Sequence, residues 1–291
     1  MNRTFKRKVA IITGGGTGIG EAICRKFARE GARIVVNGLP GDPIEDVVDD
    51  IIADGGVAEA FAGDVSREDT ARKCISAAIR NFGQLDILIN NAGVLVANAE
   101  TGDMPVDKFD EQIRCNIRSA FLMTKFALPH LQKTRGKHRQ RRFGRRDQWT
   151  TEEHRLWRNE GFLHSFMQGV AVEQAQYGVR ANCVCPGPID TAWTHKETGA
   201  VDEEVEKALV TAIPLGRRGT VEEIANVYAF LASDDASFVT GALWLVDGGI
   251  TPAKGPVGVM AGPLAATPPP SQLNLRHTRD GTRGKDIVKI P

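Results

Sequence analysis

The sequence predicts a doubly wound parallel sheet in a three-layer α/β/α arrangement, and three observations predict it. Short apolar runs alternate with longer amphipathic stretches from residue 8 to residue 249, which is the alternation of βαβ units. The first run opens into a glycine cluster that passes straight into a helical pattern. With 291 residues, 42% of them hydrophobic and 25% charged, the chain has the material for a large buried core. Seven strands are expected of such a sheet, and six can be placed.

Taken in order, Lys8–Thr13 is the first strand, and the helix after the glycines carries Ala22, Ile23, Phe27 and Ala28 at helical spacing up to Gly31. ARIVVN is the second strand. From about Pro43 to Ala53 a helix places Ile44, Val47, Val48, Ile51 and Ile52 on one face. Ala58–Ala62 is a weak strand ending at Asp64, and Glu68–Phe82 is amphipathic. LDILINNAG is a strand with a turn behind it. Val106–Leu131 reads as one helix with two buried faces. GFLHSFMQGVAVEQAQ is helical, VRANCVCPG is a strand, Glu203–Val210 and Val221–Ala232 are helices, and ALWLVDGG is the last strand. The domain expected is a single unit over residues 1–250. Residues 251–291 are a Pro/Gly-rich extension with little helix.

Charge and cysteine usage narrow the function. Lys and Arg number 37 against 36 Asp and Glu, so there is no global field to draw nucleic acid or an anionic membrane. No 18-residue apolar stretch exists to span a bilayer, and the N-terminal segment lacks the apolar core of a signal peptide. Five cysteines, an odd number, speak against a disulfide framework. Cys24, Cys74 and Cys115 read as small buried hydrophobes. Cys183 and Cys185 are too close for the usual zinc or redox pair, and no histidine cluster accompanies them in sequence. A soluble cytoplasmic protein without a metal site is expected.

The chemistry resides in the first turn. Gly14, Thr17, Gly18, Ile19 and Gly20 lie between a strand and a helix. Glycines there let the backbone approach a pyrophosphate, and the helix N-terminus supplies N–H groups and a favourable dipole. The cofactor expected is NAD or NADP. Their choice is usually read at the end of the second strand, where an acid takes the ribose 2′-hydroxyl. Here that stretch is Asn37-Gly38-Leu39-Pro40, neither acid nor Arg. Asp42 is close by, although solubilising the loop would explain it equally well, and the balance leans to NAD.

TGGGTGIG, Asp64-Val65, Asn90-Asn91-Ala92-Gly93, Asn116, Pro186-Gly187 and Val246-Asp247-Gly248-Gly249 occur in the order and spacing of the short-chain dehydrogenase/reductases. The chain resembles that family from about Lys6 to Gly249. The resemblance implies a Rossmann-type fold that transfers hydride between a nicotinamide cofactor and an alcohol or ketone, commonly as a homodimer or homotetramer. It implies that Asp64 and Val65 sit beside the adenine and that Asn91, Ala92 and Gly93 form the turn under its ribose. Beyond Pro186 and Gly187, it implies that Ile189 and Thr191 face the carboxamide. Residues 191–212 would be the variable substrate loop. Trp193 offers it an aromatic wall, and His195 reads as an exposed loop residue rather than a catalytic one. Asn116 matches the Asn that completes a water relay in the family.

The family's base is a tyrosinate whose pKa is lowered by a Lys four residues on, with a Ser thirteen residues before the Tyr. A phenol with an ordinary pKa near 10 needs such a cation to work at neutral pH. This chain has two tyrosines, Tyr177 and Tyr228, followed four residues on by Ala181 and Ala232. The family's Ser, Tyr and Lys positions hold Phe143, Leu156 and Glu160. They lie in HRQRRFGRRDQWTTEEHRLWRNE, residues 138–160, where the fifth strand belongs but seven of 23 residues are Arg. Burying one such charge unpaired costs several kcal/mol, of the order of 3–5. Back-translated with permitted synonymous codons and shifted by one base, the stretch reads IVNVGSVAGINGPPKNTAYGGTK. That is a strand followed by Ser, Tyr and Lys in register with positions 143, 156 and 160. The expectation is a one-base insertion near codon 138 compensated near codon 160, leaving the literal chain catalytically impaired. Two other readings remain: a pseudoenzyme that binds the dinucleotide without turnover, and oligonucleotide binding by the Arg-rich stretch, whose Phe143, Trp149 and Trp157 could stack on bases.

Overall fold

The computed structural model describes residues 4–94, 97–98, 101–135, 160–191, 203–253, 268–269 and 288–289. Its first half is a regular βα alternation: β1 (Val9–Thr13), α1 (Gly18–Arg29), β2 (Arg33–Gly38), α2 (Ile44–Ala53), β3 (Val57–Ala62), α3 (Glu68–Phe82) and β4 (Ile87–Ile89). These four strands form one parallel sheet in the order β3-β2-β1-β4, with Ile11 opposite Val35 and Leu88. Successive residues of a strand point to opposite faces, and the core divides accordingly. Ala10, Ile12, Ile34 and Val36 pack under α1 and α2 with Phe27 and Val47. Val9, Ile11 and Val35 pack on the other face with Cys74 and Ile75 of α3. Both faces are covered, as a parallel sheet requires.

After the two-residue β5 (Ala97–Asn98), the single helix expected over Val106–Leu131 is divided. It consists of α4 (Val106–Gln112), a π-helical turn at Ile113–Arg118, and α5 (Ser119–Arg135) with Pro129 inside it. The apolar period alone does not reveal a π turn, because one widened turn shifts the face without ending the helix. The second half contains α6 (Glu160–Gln174), β6 (Cys183–Pro186), α7 (Glu203–Ala212), α8 (Val221–Ala232), β7 (Leu243–Val246) and β8 (Val288–Lys289). Strands β6 and β7 pair in parallel, Cys185 opposite Leu245. Helix α8 joins the halves: Ala225 and Ala229 pack into the α1 side of the first sheet, while Ile224 and Leu231 cover Val184 of β6. Within the expected C-terminal extension, β8 pairs with β5, Ala97 opposite Val288, a contact no local pattern announces.

Among the described residues the main sheet therefore has six strands, in two hydrogen-bonded groups, β3-β2-β1-β4 and β6-β7. Residues 138–159, where sequence reasoning places the seventh, lie outside the described residues, as do Phe143 and Leu156. Glu160 is the first residue of α6.

The bottom edge of the sheet is fastened by one buried carboxylate. Asp86 Oδ2 accepts hydrogen bonds from the Val9 N–H at 2.9 Å and from Gln84 Nε2 at 2.7 Å, while Lys8 Nζ lies 3.5 Å from Oδ1. The Asp86 N–H in turn donates to Val9 O at 2.9 Å. Asp86→Ala leaves the buried Val9 N–H unsatisfied, and the expected loss is about 1–3 kcal/mol. A lowered urea midpoint at unchanged slope would show it, whereas an unchanged midpoint would contradict this role.

Candidate functional site

The C-terminal ends of β1, β2 and β4 converge on a cleft of about 190 Å³, with the N-terminus of α1 at its floor. The turn that shapes it is built from the backbone outward. Gly14 adopts φ +62°, and a Cβ on Gly20 would lie 1.9 Å from Gly14 O and 2.6 Å from Asn91 Nδ2. No side chain fits at Gly20, so the first turn of α1 presses directly on the loop. No side chain caps this helix at Thr17. The first-turn N–H groups, which have no partner within a helix, therefore open towards the cleft.

The opposite wall is locked to the loop by two side chains. Thr13 Oγ1 accepts from the N–H groups of Asn91 and Ala92, both at 3.0 Å, and donates to Ile89 O at 3.4 Å. Asn91 Nδ2 donates to Thr13 O and Gly14 O, both at 3.1 Å. Thr13 was not singled out in the sequence, although a hydroxyl at the last position of an otherwise apolar strand was a signal. Asn116, in the π turn, holds the next stretch: its Oδ1 accepts from the Val94 N–H at 2.8 Å and its Nδ2 donates to Val94 O at 2.9 Å. Its amide is thus a clamp on the turn of Asn91, Ala92 and Gly93.

Gly14, Thr17, Gly18, Ile19, Asn37, Asp64, Val65, Asn91, Ala92, Gly93 and Thr191 all line the cleft. Gly20 lies beneath it. Thr191 faces Gly18, close enough that a Cβ there would be 3.4 Å from the threonine. Gly187 does not line the cleft; its N–H donates to Val246 O at 3.0 Å. Pro186 ends β6. The Ile189 side chain is buried with Val221 and Ile224, so only its backbone remains to face a ligand. Asn37 is buried, and its amide donates to Phe61 O and Gly63 O at 2.9 and 3.0 Å. It ties β2 to the end of β3. Leu39, Asp42, Val94, Cys115 and Ser119 also line it; Cys115, expected from the sequence to be buried, is half-buried at the cleft. Trp193 and His195 lie outside the described residues.

Asp64 is the titratable group best defined here. Burial works against its ionisation, but hydrogen bonds from Ser66 and the Arg114 guanidinium, 2.6 Å from Oδ2, hold its carboxyl below the usual range. Arg114 also donates to Ser66 Oγ at 2.6 Å. Elsewhere the fold brings His164 to the strand cysteines. Its Nε2 is 3.2 Å from Cys185 Sγ, and the donor atoms of His164, Cys183 and Cys185 lie within 4.8 Å of one another. The sequence places no histidine cluster beside these cysteines; the fold brings one histidine to them from α6, 19 positions before Cys183. Among the described residues no helix is long and apolar enough to cross a membrane.

Residues 14–251 match the model of a family described as enoyl-(acyl carrier protein) reductase. The chain is 35% identical over 255 residues to meso-2,3-butanediol dehydrogenase of Serratia marcescens, spanning 86% of this chain and 97% of that one. A 7α-hydroxysteroid dehydrogenase solved with NADH and 7-oxo glycochenodeoxycholic acid superposes with a TM-score of 0.74. It is 28% identical, over 85% of this chain and 96% of its own. A short-chain type dehydrogenase/reductase from Mycobacterium ulcerans gives a TM-score of 0.75 at 25% identity, over 87% and 93%.

The Asp64 geometry sets an acid limit. A carboxyl depressed in the folded state contributes stability in full above about pH 4, its unfolded value, and loses it as pH falls through the lower folded pKa. Stability measured by urea unfolding should therefore fall on acidification, and Asp64→Asn should flatten part of that fall while lowering the plateau at neutral pH. Parallel curves for the two proteins would show that Asp64 contributes nothing.

Proposed function

The chain belongs to the short-chain dehydrogenase/reductase family, and from that premise we propose that it holds NAD or NADP in the cleft above α1. In the reaction we propose, hydride passes between the nicotinamide and an alcohol or ketone. The observation that carries this reading is the uncapped N-terminus of α1 beneath a glycine turn with no room for side chains. Such a terminus is suited to a pyrophosphate. Gly14, Thr17, Gly18 and Ile19 would hold the phosphates. Asp64 and Val65 would flank the adenine, and Asn91, Ala92 and Gly93 would support its ribose. Thr191, with the backbone of Ile189 beyond the Pro186-Gly187 turn, would meet the carboxamide end. When bound, the nicotinamide supplies or accepts the hydride. Asn116, by clamping Val94, keeps the wall of the cleft in place beside it. The coincidence of the matched residues 14–251 with the βα alternation supports one catalytic unit over residues 1–250 with an extension from 251 to 291.

The proton-transfer group is the weak point of the literal chain. Tyr228 packs against both the α1 side of the first sheet and the β6 cluster, and burial, with Cys183 and Cys185 nearby, raises its pKa further above 10. A phenol shifted upward is ionised even less at neutral pH, which leaves little phenolate to take a proton. Tyr177 ends a 3₁₀ turn after α6 and is half exposed. Neither has a Lys four residues on. This favours, as a second reading, a pseudoenzyme that binds the dinucleotide without turnover. The compensated frameshift over residues 138–160 accounts for the same fact. It assigns full activity to the re-read protein.

Two outcomes are expected. Substituting IVNVGSVAGINGPPKNTAYGGTK for residues 138–160 should raise soluble yield. It should also raise turnover of secondary alcohols with NAD or NADP by at least about 10²-fold, the usual worth of a placed acid–base group. Equal yield and turnover for the two chains would refute the frameshift and leave the pseudoenzyme. The second outcome concerns assembly. Phe238 is fully exposed, and Leu243, Trp244 and Leu245 of β7 are more than a third exposed, an apolar edge that supports a homodimer or homotetramer. Light scattering should return a multiple of 31.6 kDa for the chain and a smaller species for Leu245→Asp. A monomer in both cases would exclude it.

A further inference from the structure

We propose that His164 Nε2 and the sulfurs of Cys183 and Cys185 form a binding site for one zinc ion. The site is separate from the nucleotide reading, since none of the three residues is among those lining the cleft.

The strand explains how two cysteines so close in sequence can share an ion. One intervening residue is too few for the usual zinc pair, which is spaced by about two to four. On a strand, however, that spacing places both side chains on one face. Val184 between them packs with Ile224 and Leu231 of α8, so the two sulfurs belong to the other face. Pairing with β7 fixes their heights. Cys183 stands opposite Leu243 and Cys185 opposite Leu245, and the Cys183 N–H donates to Ala242 O at 2.8 Å. Helix α6 brings the imidazole to them. It is seated by Val170 and Ala171, buried with Ala181 just before β6, and by Gln132 Nε2, which donates to Gln174 Oε1 at 2.7 Å. Cys185 is buried, while His164 and Cys183 are half-buried, which leaves an ion a way in.

The distances fit zinc. With Zn–S of about 2.3 Å and Zn–N of about 2.0 Å, tetrahedral angles set the ligand atoms about 3.5–3.8 Å apart. Here His164 Nε2 is 3.2 Å from Cys185 Sγ, and all three donor atoms lie within 4.8 Å of one another. Zinc geometry therefore asks for shifts of about 1 Å or less, which small side-chain rotations supply. The donor types fit as well. The set has no carboxylate, as magnesium or calcium would require, and two thiolates with an imidazole suit zinc. Burial holds the His164 pKa below its ordinary value, so the ring is neutral at neutral pH and offers the ion a lone pair. The two thiols lose their protons to solvent as the ion enters. Zn²⁺ with two thiolates and a neutral imidazole carries no net charge, which avoids the cost of burying one. The fourth position stays open to water, as in other three-ligand zinc sites.

The test is zinc retention by the full chain. Purified with a reductant, stripped with a chelator, loaded with Zn²⁺ and dialysed, the unsubstituted chain should retain about one zinc by elemental analysis. His164→Ala and Cys183→Ser should each bind at least about tenfold more weakly, since loss of a residue that merely supports a ligand already costs that much. Equal zinc content in the variants and the unsubstituted chain would overturn the site, and so would loss of zinc from all three on dialysis. Should the variants fail to fold, the unsubstituted chain decides. Co²⁺ in place of Zn²⁺ should give the intense thiolate-to-cobalt absorption, and zinc entry should release about two protons into weakly buffered solution. Absence of that absorption, or binding without proton release, would refute the assignment.

Discussion

The site depends on one hydroxyl. Thr13 Oγ1 takes two backbone N–H groups from the turn after β4 and gives its own proton to the last carbonyl of that strand. Thr13 is buried at the end of β1, and the bonds it makes fix how far apart the ends of β1 and β4 stand. The cleft is the space between them. Asn91 repeats the tie in the opposite direction, from the turn to Thr13 O and Gly14 O, so the glycine turn and the far wall move as one body.

Around that tie, polar side chains serve mainly to hold backbone. Asn37 spends its amide on the end of β3, Asn116 on Val94, and Asp86 on the start of β1. Each is a short side chain whose geometry is set once its backbone partner is placed, which suits a cleft meant to receive a ligand without rearranging. The positive ends of N–H dipoles at α1 and the carboxylates of Asp42 and Asp64 then give the cleft one electropositive and one acidic end.

The two strand groups join through α8 rather than through strand hydrogen bonds among the described residues. Its small residues Ala225 and Ala229 sit close on the α1 side, and Ile224 and Leu231 reach β6. The helix is secured at its start by a capping box between Thr220 and Glu223 and by the two hydrogen bonds from Arg217 to that glutamate. The glutamate's carboxyl is accordingly held below its usual range, first by Arg217. A helix fixed in this way can carry the alignment of β6 to the first sheet, and with it the placement of Thr191 over Gly18.

What the sequence by itself determined is whatever depends on local period and on glycine: the βα order, the apolar faces of α1 and α3, that of α2 apart from Ile52, which the structure leaves exposed, the turn at Gly14–Gly20, and the disagreement of residues 138–160 with a buried strand. These are legible because a strand or helix writes its burial at fixed spacing, and because a missing Cβ is visible as a letter. Only the tertiary structure decided the rest. It brought Arg114 to Asp64, His164 to Cys185, and Asn116 to Val94. It also broke one predicted helix with a π turn. Each of these joins groups distant in sequence, or bends one element by a single residue, and neither act leaves a period behind. The hydrogen bond exists only once two separate backbones have been packed to within 3 Å of each other.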